Sequence, residues 1–445
     1  MQPLYFLRPC ALLTLLMAIT PASLYSQTFL YWDINGSGPG ATDGTTADGT
    51  WDIGQTRNWN VSSNGSDSGT RDWAQASSAV FAAGTNATGS SFIEIVGAPQ
   101  IPKFIVEEGN WTFTGGTLRV FSQTTFDIAT ASSVTIHSSF EGMPSNAFDI
   151  WKTGGGDLTL THNLTGQVDI RINGGNLTFE ATEDAAPVIT EVRDLFVGRS
   201  SDGNLSVLDG TSLTTNGQST IQVGAQAGVS GILTVTGTQS TLVSNKPVMD
   251  VGFDGTGTLN VTEGGAVTAT GGLRIGVNAT GVGHGLVSGN NSAVTVAAGL
   301  DIGTFGDGTL TIADGGTVSV LGAGVVFGSL PGGTGVLHLN SGGVLATNGL
   351  RIGADGTGTF HWAGGTLRAR GPFTSSVPAT LSETTSTIDS NGFAVTLSGD
   401  LSGAAALTKA GDGTATLTGN NTYTGGTTLA GGTLQIASDD KLGAV

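Results

Sequence analysis

Leu195-Phe196-Val197-Gly198, Ile221-Gln222-Val223-Gly224, Met249-Asp250-Val251-Gly252, Leu273-Arg274-Ile275-Gly276, Leu300-Asp301-Ile302-Gly303, Val325-Val326-Phe327-Gly328 and Leu350-Arg351-Ile352-Gly353 are seven renderings of one phrase: apolar, any residue, apolar, glycine. The glycines fall 26, 28, 24, 27, 25 and 25 residues apart, a period that marks a stack of like units and not one compact globule. A polar turn and a second alternating strand follow most phrases, as in Leu233-Thr234-Val235 and Leu310-Thr311-Ile312. A third follows another turn, as in Val294-Thr295-Val296. Apolar residues two apart share one face of a strand. The expectation is therefore an all-β chain: a parallel β-helix (β-solenoid) with about three short strands per coil. One coil cannot bury its apolar face, but stacked coils share an interior and satisfy their backbone groups through parallel pairing. Residues 27–445 wind into about 16 coils, a rod roughly 75 to 80 Å long at about 4.8 Å per coil.

Glycine supplies 73 of the 445 residues, as expected where many corners need positive φ. The middle residue of the phrase faces outward. In three consecutive coils it is Asp250, Arg274 and Asp301, which predicts an exposed ladder of alternating charge, weakly stabilising because water screens it.

Charged residues are only 11% of the chain, and 16 basic against 34 acidic residues give a net charge of −18. No basic patch is visible, which disfavours nucleic acid or anionic lipid as partners. The first 26 residues carry Arg8, an apolar run from Ala11 to Ile19 and small residues around Pro21-Ala22-Ser23, the pattern of a secretory signal peptide. Cys10 is the only cysteine, so cleavage of that leader leaves a mature chain without a thiol. No later segment is apolar enough for a transmembrane helix.

Residues 27–100 hold Trp32, Trp51, Trp59 and Trp73, four of the seven tryptophans. They predict an atypical N-terminal cap over the open end of the solenoid; the alternative is an aromatic glycan-binding face with Trp51 and Trp59 as its residues. Irregular coils are expected over 101–194, with an acidic loop at 181–186, and regular repeats over 195–370. Pro372 and Pro378 predict an irregular joint at 371–387, and a distinct tail fills 388–445.

That tail reads Leu407-Thr408-Lys409-Ala410-Gly411-Asp412-Gly413 and continues through Asn420-Asn421-Thr422-Tyr423-Thr424-Gly425-Gly426-Thr427 to Gly432-Thr433-Leu434. It closely resembles the autotransporter-associated β-strand repeat, also called the passenger-associated transport repeat. A weaker echo lies at Lys152 to Leu160 with Asn173-Gly174-Gly175-Asn176-Leu177-Thr178-Phe179. The resemblance implies a right-handed parallel β-helix passenger of type V secretion, exported to a bacterial cell surface or released outside the cell. There the repeat would aid passenger folding and transport. It also implies a partner, an outer-membrane β-barrel translocator, whose amphipathic strands this sequence does not supply; the expectation is a fragment, the alternative being a complete protein exported by its signal peptide alone.

No catalytic motif, cofactor fingerprint or metal-ligand spacing stands out. Asp202, Asp254, Asp307 and Asp355 each precede a glycine and fit tight turns, the alternative being a row of carboxylates. The five histidines are His137, His162, His284, His338 and His361; His338 and His361 take similar outward places on successive coils. Outward hydroxyls such as Thr234, Thr268, Thr311 and Ser319 form flat rows suited to weak, repeated contact with glycans or neighbouring surfaces. The leading expectation is a non-enzymatic, exported structural or adhesive rod without cofactors. Two alternatives stay open: a secreted polysaccharide-processing β-helix with its site in the Trp-rich start or in 101–182, and a glycan-binding module on a solenoid stalk.

Overall fold

A computed structural model describes residues 28–443 except 67–68, 144–146, 165, 183–186 and 218. The expected leader at 1–26 with Cys10 lies outside the described residues, as does most of the acidic loop.

The first of the seven phrases ends the ten-residue strand Val188–Val197, and each of the other six forms one short strand of the same first ladder: Ile221–Val223, Val248–Val251, Gly272–Ile275, Leu300–Ile302, Val325–Phe327 and Leu350–Ile352. The second ladder has longer strands, such as Thr256–Thr262, Val282–Ser288 and Asp307–Ala313. A third carries Ala266–Ala269, Ala293–Val296 and Thr317–Val320. Equivalent strands of successive coils pair in parallel and in register, with Leu273 beside Leu300, Gly283 beside Gly308 and Val294 beside Val318. Alternate residues point inward, which is why period-two patterning located the strands.

The second ladder runs through 15 strands, and a further level at 419–425 is held by amides of Thr422 and Thr424 donating to Leu401 and Gly403 carbonyls. At about 4.8 Å per step the stack is about 70 Å long. One apolar core runs unbroken from Leu30 to Tyr423.

The corner between first and second ladders explains the glycine of the phrase. Gly276 has φ +75°, and a Cβ there would lie 2.2 Å from the Asp307 carbonyl oxygen of the next coil. A second glycine meets it. Gly283 belongs to the inward column Gly203, Gly231, Gly257, Gly283, Gly308, Gly335 and Gly358, and its Cβ would fall 2.2 Å from the Gly276 amide nitrogen. The coil turns tightly because neither strand carries a side chain where they cross.

The four early tryptophans are buried together in the first described coils. Trp32, Trp51, Trp59 and Trp73 are 0–4% exposed; the first three pack against Phe81 and Trp73 packs against Trp51 and Trp59, with centroid separations of 5.2 Å for Trp51 to Trp59 and 4.7 Å for Trp59 to Trp73. Tyr31 and Trp32 pair with Asn60 and Trp59 in the one antiparallel pairing among the described strands, so the parallel stack starts from a folded-back plug. Among the described residues no helix is long and apolar enough to cross a membrane.

At Pro372 the first ladder breaks: Phe373–Ser375 opens a separate four-stranded sheet. The other two ladders continue, with Phe360 beside Ala379 and Leu367 beside Ile388. Beyond it the coils shorten; Ser386 pairs Leu407 and Leu407 pairs Thr427, a step of 21 and then 20 residues.

Candidate functional site

The outward column of the first ladder extends further toward the N-terminus than the repeated phrase. Thr125, Trp151, Arg171, Phe196, Gln222, Asp250, Arg274, Asp301, Val326 and Arg351 follow one another in register. Two residues earlier on the same strands, Asp149, Asp169 and Asp194 form a second column. Their side chains meet the described chain's largest cluster of opposite charges. Arg171 Nη1 lies 3.1 Å from Asp149 Oδ2, and Nη2 lies 3.7 Å from Asp169 and 3.8 Å from Asp194. Arg193 Nε donates to Asp169 Oδ1 at 3.0 Å. The Arg171 guanidinium sits 5.1 Å from the Trp151 ring centroid and 5.9 Å from that of Phe196, and Arg199 covers Phe196 at 4.6 Å.

Burial, and secondarily the charge of Asp169, push the Asp149 carboxyl above its ordinary range, while Arg171 pulls it back. Three carboxylates, three arginines and two aromatic rings on one face are a composition that can hold a polar, ring-bearing ligand such as a glycan. The signal was present in the sequence as Asp149-Ile150-Trp151, Asp169-Ile170-Arg171 and Asp194-Leu195-Phe196. Uneven coil lengths and a register shift at Val168/Asp169 hid it.

The charge ladder has the expected register but not the expected exposure. Arg274 grips Asp250 with two bonds of 2.7 and 2.9 Å, and Asp250 is 0% exposed because the guanidinium lies over it. Burial raises the Asp250 and Asp301 carboxyls, with Arg274 opposing in both.

Trp51 and Trp59 are brought together in the core, at 0% and 1% exposure. Their faces are covered by Trp73 and Phe81, so neither ring is open to a sugar in this packing. The four aspartates ahead of glycines do not form a row. Asp202 accepts from the Ser230 amide at 2.7 Å and Asp254 from the Asn278 side chain at 2.8 Å, whereas Asp307 starts a strand and Asp355 takes φ +62°. The hydroxyl residues divide between faces: Thr268 and Ser319 flank Thr295 on the third ladder, while Asn260 and Leu286 separate Thr234 from Thr311 on the second.

His338 and His361 are register partners whose rings stack at 4.7 Å and 11°. Burial first, then the neighbouring His361, lowers the pKa of His338. A histidine whose folded pKa is depressed contributes stability above its unfolded value of about 6.5 and loses it as pH falls. Wild-type chain is therefore expected to lose more thermal stability than His338→Gln between neutral and mildly acidic pH, as followed by the unfolding temperature. Equal pH dependence of the two would remove the stack as its cause. Among the described residues no group of three or more His, Cys, Asp or Glu could hold a metal ion.

The last coils are built on a buried cation. Lys409 is 0% exposed, and its Nζ donates to the Ala410, Gly411 and Gly431 carbonyls at 2.8, 2.8 and 2.9 Å. Tyr423 is also fully buried, its hydroxyl 2.5 Å from Thr427 Oγ1. Residues 407–436, which contain both, match the passenger-associated-transport-repeat family. The chain carries a passenger-associated transport repeat. This transport repeat continues the solenoid, pairing Leu407 with Ser386 and Thr414 with Ala394 of the coil before it. No curated protein matches the chain. Among solved structures, the chain is similar to a hyper-glycosylated TibA55-350 fragment, glycosylated by TibC, at 18% identity and a TM-score of 0.27; the match covers 73% of this chain and 93% of that one.

Proposed function

We propose that the chain is an exported passenger of type V secretion, a structural or adhesive rod at a bacterial surface whose transport repeat aids folding and passage. The carrying observation is that the transport repeat is not a separate appendage. Its strands extend the third ladder and the sheet opened by Phe373–Ser375, so residues 407–436 stack directly on the coils before them. A chain that folds coil upon coil from one end needs a stable first layer; the transport repeat, with its satisfied buried lysine, supplies one. The partner in this reading is an outer-membrane β-barrel translocator, and the rod contacts glycans or neighbouring surfaces through weak repeated groups.

The test joins the full chain to such a barrel in a Gram-negative host and measures protease-accessible passenger on intact cells. Removal of 407–436 is expected to lower surface display severalfold while the barrel still inserts. Undiminished display would contradict the role given to the repeat.

A second reading rests on Asp149, Asp169 and Asp194 beside Trp151: polysaccharide processing on the first face. It requires turnover of a polysaccharide by the purified chain that is lost in Asp169→Asn with the fold retained. Absence of turnover across acidic and neutral glycans would end it.

A further inference from the structure

The chain has five lysines, Lys103, Lys152, Lys246, Lys409 and Lys441, and three of them, Lys152, Lys246 and Lys409, are only 0–2% exposed. A buried ammonium is costly unless its three donors are used. Lys246 donates to the Arg193 and Asn216 carbonyls. Lys152 does what Lys409 does. Its Nζ donates to Thr153, Gly154 and Gly174 carbonyls at 2.7, 2.9 and 3.1 Å: the residue after it, the residue two after it, and one 22 positions on, the same offsets as for Lys409.

We infer that residues 152–179 are a second transport repeat, built on the same lysine clamp as 409–436 and placed ahead of the regular array. The correspondence holds without insertion along the whole unit. Gly154 and Gly411 follow their lysines by two, Gly156 and Gly413 by four, and Gly174-Gly175 and Gly431-Gly432 by 22 and 23. The inward residues also match: Leu158 with Ala415, Leu160 with Leu417, Leu177 with Leu434 and Phe179 with Ile436. Strand pairing is the same, Leu158 beside Leu177 in one unit and Ala415 beside Leu434 in the other.

Backbone geometry agrees at two of the paired glycines: Gly154 and Gly411 have φ +72° and +69°, and Gly175 and Gly432 have +59° and +67°. It differs at a third pair, where Gly413 has φ +88° and Gly156 has no positive φ. A Cβ on Gly175 would lie 2.2 Å from Gly156 O, and one on Gly432 would lie 2.4 Å from Gly413 O. The two units differ in the middle. Where the tail has Asn420-Asn421-Thr422-Tyr423-Thr424-Gly425-Gly426-Thr427, the earlier unit places Leu164 in the core, 0% exposed, and lacks the family's most specific run.

The clamp has a mechanical meaning. Two carbonyls come from the lysine's own turn and the third from the next coil, so one side chain staples adjacent levels at a corner. The staples bracket the array from Leu195 to Gly353, fixing register on both sides of coils that hold themselves by backbone pairing. This inference is independent of export and of any translocator.

Amine acylation of the folded full chain, read lysine by lysine by mass spectrometry, tests it. Lys152 and Lys409 are expected to react together, about tenfold or more slowly than partly exposed Lys103, because reaction requires local opening. Lys152 labelled as fast as Lys103 while Lys409 is protected would overturn the assignment. In Lys152→Met and Lys409→Met, amide exchange is expected to rise at the clamped coil and the one after it, including Asn173 in the first and Ala430 in the second, whose amides donate to the Lys152 and Lys409 carbonyls. Unchanged exchange around Asn173 in Lys152→Met would likewise overturn it; if either variant fails to fold, the wild-type labelling decides.

Discussion

Trp59→Ala is expected to destabilise the N-terminal coils by about 3 to 5 kcal/mol, the cost of emptying a large aromatic from a packed core. Trp59 is 1% exposed and touches Trp32, Trp51, Trp73 and Phe81 at centroid distances of 4.7 to 5.5 Å. The loss should also be local. In a stack each coil contacts its neighbours alone, so damage at one end frays inward. Hydrogen exchange is expected to rise around 29–106 and to stay near wild type beyond the middle of the array. Uniform loss of protection along the whole chain would mean that the molecule unfolds as one globule. A small effect, with glycan affinity lost instead, would restore Trp59 as a binding residue.

The second large effect is expected at the corner. Gly276→Ala places a Cβ both at φ +75° and 2.2 Å from the Asp307 carbonyl. Left-handed backbone costs about 1 to 2 kcal/mol in a non-glycine residue, and forced overpacking typically about 1 to 3 more. Gly228 separates the two terms. It has φ +77° but nothing within 4 Å of its Cβ position, so Gly228→Ala is expected to show the backbone cost alone. Denaturant midpoints of the two variants should differ by the clash. If they coincide, the corner is not set by close approach of the coils.

Much of this fold was legible because its determinants are local and repeated. An apolar residue at every second position, closed by glycine, states strand, face and corner within four residues, and seven copies state the stacking. The early tryptophans were less legible: the sequence left Trp51 and Trp59 between burial at an open end and a glycan-binding face, and their 0% and 1% exposure comes from packing against one another, Trp73 and Phe81. Asp250 was harder. Its outward position is readable from alternation, but its burial comes from Arg274 folding over it from the next coil, a contact that period alone does not fix. The column of Asp149, Asp169 and Asp194 needed the register of coils of unequal length. Lys152 and Lys409 were hardest, because lysine ordinarily marks a wet surface; only corner glycines that turn three carbonyls inward make a dry site for an ammonium. The inward column from Gly203 to Gly358 was present in the sequence, yet a glycine inside a strand carries no apolar signal.

The stacked rod itself is open to one direct measurement, by spin labels in the outward column of the second ladder. Ser206 and Thr311 are four register steps apart. Thr135 and Thr380 are ten. With Cys10→Ser removing the one native thiol, cysteine pairs at these sites report electron–electron distances without competing labels. Backbone separations of about 19 and 48 Å are predicted, about 4.8 Å for every coil crossed. Distances that fail to grow in proportion to the number of coils would contradict the stack, and with it the passenger-like rod.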